Sequence, residues 1–61
     1  MHRVVILEQT PTKDVWLCNH VENDWTMACG FRDSMLEVIR ERKGTVLYSA
    51  IFNLIAGDLS D

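Results

Sequence analysis

With 61 residues the chain is one small domain, of a size that buries only about 60% of the surface its unfolded form exposes, so association with a second copy or another protein is a natural supplement to stability. Six basic against nine acidic side chains give a net charge of −3, which disfavours a phosphate backbone as partner. Two cysteines are too few for the disulfide framework of a small secreted domain, and no stretch approaches the roughly 20 apolar residues of a membrane span.

Met1-His-Arg leads directly into an apolar run too short for the hydrophobic part of a signal peptide, so a cytoplasmic protein with reduced thiols is expected. That run, Arg3-Val-Val-Ile-Leu-Glu-Gln9, is β-rich and apolar on both faces, the pattern of an interior strand or of one whose second face is covered by something else. Thr10-Pro-Thr-Lys13 reads as a turn, with Pro11 pre-set for its second position. A second strand follows over residues 14–21. It carries Val15, Leu17, Asn19 and Val21 on one face and Trp16, Cys18 and His20 on the other.

Glu22-Asn-Asp24 reads as a hairpin loop, and Trp25-Thr-Met-Ala-Cys-Gly30 as a third strand in which large and small residues alternate. A three-residue loop sets Val21 opposite Trp25, Leu17 opposite Cys29 and Val15 opposite Phe31. That register collects the bulky side chains into a core face and leaves Trp16, Cys18 and His20 on an open one.

Ser34-x-x-Glu37 forms a capping box for a helix over residues 34–43, with Arg40, Arg42 and Lys43 at its C-terminal end, Gly44 as terminator, and Leu36, Ile39, Lys43 and Met35 on its buried side. In residues 45–57 the polar Thr45, Ser49 and Asn53 fall at steps of four, while Leu47, Ile51, Leu54 and Ile55 occupy another side, so a second helix ending at Gly57 is expected. The β-branched and aromatic content of Val46, Tyr48, Ile51 and Phe52 keeps a further strand as the alternative. The expected fold is therefore α+β over residues 1–61: a three-stranded antiparallel meander followed by a capped helix and a C-terminal helix, or by one helix and a fourth strand.

Cys18, His20, Cys29 and His2 are the candidates for a metal or thiol site. Their spacing lacks the paired turns of structural zinc sites, and Cys18 with His20 lacks a third orienting group, so neither a metal, nor another cofactor, nor an enzymatic activity is expected. Trp16 and His20, neighboured by small residues, have the composition of a contact surface with an aromatic anchor. Glu22 and Asp24 belong to an acidic edge suited to a basic partner surface. Tyr48, Phe52 and Ala56 form a ridge on the C-terminal segment that a three-stranded sheet is too narrow to cover; a second copy, or a larger protein target, would bury it. The alternative is a nucleic-acid regulator using Arg40, Arg42 and Lys43, although Glu37 and Glu41 interleave with them.

The succession of strands followed by Cys29-Gly-Phe-Arg-Asp-Ser-Met-Leu-Glu-Val-Ile39 resembles the HicB-type antitoxin fold over about residues 3–43. In that fold a glycine precedes the helix at the same place. The proline-rich segment of that fold is replaced here by Glu22-Asn-Asp-Trp25. Size and acidity also resemble the small inhibitors that phages and mobile elements direct against host enzymes, anti-CRISPR proteins among them. Both resemblances imply a binding module that inhibits or regulates a larger protein.

Overall fold

The computed structural model describes residues 1–54. Strand β1 (His2–Gln9) is followed by β2 (Val15–Glu22), helix α1 (Trp25–Glu41) and β3 (Thr45–Asn53). The sheet order is β2-β1-β3, and both neighbours of β1 run antiparallel to it. The expected α+β class and three-stranded antiparallel sheet are present. Two of their parts are exchanged: residues 25–30 belong to the helix, and the third strand is the segment 45–53. The sheet is therefore no meander. Strands β2 and β3 run parallel to one another on either side of β1, joined by the helix as a split β-α-β unit.

Residues 25–30 are helical because their small residues serve an apolar stripe that continues through the whole helix. Ala28 and Ile39 are buried, and Phe31, Met35 and Leu36 pack beside them; these are steps i, i+3, i+7, i+8 and i+11, one face of a 3.6-residue repeat. The alternation of Trp25, Met27 and Cys29 with Thr26, Ala28 and Gly30 fits a strand only while that longer repeat is ignored. Glu22 closes β2, and Asp24 is the N-cap, with extended backbone (φ −102°, ψ 146°) and its carbonyl accepting from the Ala28 N–H at 2.9 Å. Ser34, expected to cap the helix, lies exposed in its interior. Cys29-Gly30-Phe31, on which the antitoxin resemblance was read, likewise lies inside the helix and not at a strand end.

At the other end the chain closes as a Schellman motif: the Gly44 N–H donates to the Ile39 carbonyl at 2.9 Å and the Lys43 N–H to that of Arg40 at 3.0 Å. Lys43, with φ 62°, takes the left-handed position that Gly44 was expected to fill, and its side chain is exposed, not on the buried side. Gly44 is needed for a different reason. A Cβ there would run into the carboxylate of Glu8 and stand 3.1 Å from Ile39 Cγ2. Lys43→Gly removes the left-handed strain at the cost of a floppier unfolded chain, so a net gain of about 0.5 kcal/mol is expected in chemical denaturation. A loss of stability would show that the lysine side chain holds the helix end.

The segment 45–53 becomes a strand because β1 has two edges. The hairpin through Thr10-Pro11-Thr12-Lys13, in which the Lys13 N–H donates to the Thr10 carbonyl at 2.8 Å and Lys13 adopts φ 72°, satisfies only the edge facing β2. Backbone groups on the other would be left without partners under a helix. β3 supplies them, with an irregularity at Leu7/Glu8 that makes Leu47 the extra residue of a bulge. The expected Thr45, Ser49, Asn53 stripe of a helix is thereby overturned as far as Asn53; Ile55, Ala56 and Gly57 lie outside the described residues.

The core is small. Val4 and Ile6 of β1 and Ala28 and Ile39 of α1 are its fully buried apolar members, with Cys18 and Ile51 from the flanking strands against them. All of it lies between the helix and one face of the sheet.

Candidate interaction surface

Strand alternation fixes the other face. Since Val4, Ile6 and Glu8 point to the helix, Arg3, Val5, Leu7 and Gln9 point away, and the cross-strand register places their partners with them. Four rows run across the sheet in the order β2, β1, β3: Val15, Gln9 and Thr45; Leu17, Leu7 and Tyr48; Asn19, Val5 and Ala50; Val21, Arg3 and Phe52. No described element lies over them. Leu17 is 64% exposed, Val15 55%, Tyr48 49% and Phe52 45%, values that mark these as water-facing side chains and not loosely packed core. The face carries no acid and one base, Arg3, whose Nη1 donates to Asn19 Oδ1 at 2.8 Å. An antiparallel sheet with a solvated face ordinarily reads polar there. This one reads apolar through its centre.

β2 therefore enters the fold inverted relative to expectation. Val15, Leu17 and Val21, expected in the core, face outward; Cys18 and His20, expected on the open side, face the helix. Cys18 packs on the core opposite Ile6, and His20 stacks on Phe31 at 4.0 Å between ring centroids. The expected strand register of Leu17 with Cys29 cannot exist, because Cys29 is on α1.

The six residues expected to contact a partner separate into three places. Tyr48 and Phe52 lie on the open face. His20, Glu22 and Asp24 lie at the corner where β2 passes into the helix: His20 Nε2 and Glu22 Oε2 are 2.6 Å apart, while the Asp24 side chain makes no cap hydrogen bond. Next to Asp24, Trp25 is exposed and meets the His2 ring edge-on at 5.5 Å. Trp16 is at the far end of β2, where it covers the guanidinium of Arg42 at 5.0 Å.

The Arg42 guanidinium is engaged on its other side by Glu8, which is only 3% exposed: Nε donates to Oε2 at 3.0 Å and Nη2 to Oε1. The hydrogen bond from Arg42 outweighs the loss of water around the carboxylate and holds Glu8 below the ordinary carboxylate range; the same contact pushes Arg42 upward. Arg40 pairs with Glu37 at 2.8 Å. Of the three bases considered for nucleic acid, two are thus held by carboxylates, and Lys43, exposed at the end of the helix, makes no salt bridge among the described residues.

Among the described residues no group of three or more His, Cys, Asp or Glu is placed to hold a metal ion, and no helix is long and apolar enough to cross a membrane. Two open grooves of about 370 Å³ flank the helix, one lined by Leu36, Ile39, Arg40, Gly44, Val46 and Ser49, the other by Glu22, Thr26, Met27, Gly30, Phe31 and Ser34. In the second, the Thr26 and Ser34 hydroxyls share the lining with Glu22, whose carboxylate is engaged with His20.

Sequence reasoning missed Val15, Leu17 and Val21 as surface residues. The signal for their face was present in β1, whose Val5 and Leu7 make it apolar on the side away from the helix as well as toward it.

No family model, curated protein or solved structure matches the chain.

Proposed function

We propose that this chain is a protein-binding module without a catalytic step of its own, which inhibits or regulates a larger protein by laying the open face of its sheet on that protein's surface. The observation that carries this reading is the continuity of the face: Val15, Leu17, Val5, Leu7, Tyr48 and Phe52 lie side by side and uncovered among the described residues. The largest contiguous apolar patch on a monomeric protein is about 300–600 Å² and is often functional, and this face is of that order. Tyr48 supplies an aromatic anchor with a polar tip, a residue type enriched at binding hot spots. The small inhibitors of phages and mobile elements, anti-CRISPR proteins among them, which the chain resembles in size and acidity, work by the same means: a compact domain occupies the working surface of its target.

The reading is tested by capture from the source cell with the wild type and with Leu17→Asp, a change confined to an exposed position. The retained protein is then purified and titrated with both forms. A partner bound at one to one, inhibited or altered in activity, and lost on Leu17→Asp is the expected result. A partner held equally by both forms would place the working surface elsewhere.

A further inference from the structure

We infer that the open face also binds a second copy of this chain, face to face and with the strands antiparallel, so that self-association and target binding exclude one another. The inference rests on the reading of that face as the working surface. Three observations favour a second copy as occupant.

The first is the shape of the rows. A twofold axis lying between the two sheets and perpendicular to the strands sets each strand over its own copy in reverse. Placed midway along the strands, it lays the row of Leu17, Leu7 and Tyr48 over the row of Asn19, Val5 and Ala50. At each of the three places a larger side chain meets a smaller one, Leu7 over Val5, Tyr48 over Ala50 and Leu17 over Asn19, as interdigitating sheets require. The second is charge. With no acid on the face, the one conflict in a pair of copies is Arg3 with Arg3. The antiparallel arrangement removes it by setting Arg3 over the amide of Gln9, whereas an axis parallel to the strands would stack the two guanidiniums. The third is area. The face measures about 27 by 14 Å in plan from the rise and spacing of strands. With side chains standing up from it, two copies remove about 1,200 Å² in total from water, the lower end of specific interfaces. Weak and transient associations sit at that lower end of interface size, which leaves room for a better-matched target to displace the second copy.

Sedimentation velocity over a concentration series decides the matter. The wild type is expected to sediment as a dimer at tens of micromolar and to dissociate on dilution, Leu17→Asp as a folded monomer, and Gln9→Glu as a dimer about tenfold tighter, since the new carboxylate faces Arg3 of the other copy. Val15→Asp is the second monomerising variant should Leu17→Asp fail to fold. A wild-type monomer at hundreds of micromolar overturns the inference, and so does a dimer that neither aspartate weakens. A dimer that Gln9→Glu weakens or leaves unchanged overturns the antiparallel arrangement. A wild-type monomer that still captures its target through Leu17 would leave the functional reading standing and remove only the self-association.

Discussion

Ile6→Ala is expected to leave the chain largely unfolded at room temperature. Ile6 is fully buried at the centre of the middle strand, opposite Cys18 on one side and Ser49 on the other, beneath the helix. Truncating a buried isoleucine costs about 2–5 kcal/mol through lost transfer energy and the cavity left behind. A single core in a domain of this size rarely supplies more than about 3–5 kcal/mol, and here the fully buried apolar side chains among the described residues are Val4, Ile6, Ala28 and Ile39. The loss and the whole are of the same size. Far-ultraviolet circular dichroism during urea titration, at a concentration low enough to exclude dimer, gives the answer. Leu17→Ala, on the exposed face, serves as the matched control and should move the midpoint little. A cooperative transition for Ile6→Ala within 1 kcal/mol of wild type would mean that the contact between helix and sheet is not what stabilises the fold.

The second large effect is on acid stability. Glu8 is buried against the end of α1 and paired with Arg42, so its charged form is favoured in the fold and its ionisation lies below the ordinary carboxylate value of 4.5. A group depressed on folding contributes stability that is fully present above its unfolded value and is lost as the pH falls through the folded one. The wild type should therefore melt well above Glu8→Gln at neutral pH. The difference between their melting temperatures should shrink steadily below about pH 4.5. Other carboxylates titrate in the same range, which is why the difference between the two proteins is the quantity to follow. A gap that stays constant down to about pH 2 would show that the glutamate acts through its shape and not its charge. Gly44→Ala attacks the same contact sterically: its methyl group displaces the carboxylate and crowds Ile39, at a cost of about 1–3 kcal/mol of the overpacking kind.

The amphipathic surfaces that make this fold were legible in the residues, because each is a local property. Arg3 to Gln9 is extended and apolar on both sides whatever surrounds it. Pro11 and its neighbours turn the chain, Val15 to Val21 alternates with a period of two, and the apolar stripe through Met35, Leu36 and Ile39 ends where basic residues and Gly44 end a helix. What the tertiary structure alone decided was which surface meets which. An alternating strand has two faces, and β2 could bury either; the helix chose Cys18 and His20, because the pairing with β1 puts them beside Val4 and Ile6. Trp25 to Gly30 fits a strand by alternation and a helix by the reach of Ala28 to Phe31 and Met35, and only a sheet to pack against separates the two. Thr45 to Asn53 carries the spacing of a helix, yet the unpaired edge of β1 required a strand. That demand arises from backbone groups some forty positions earlier in the chain, and no window of local sequence contains it.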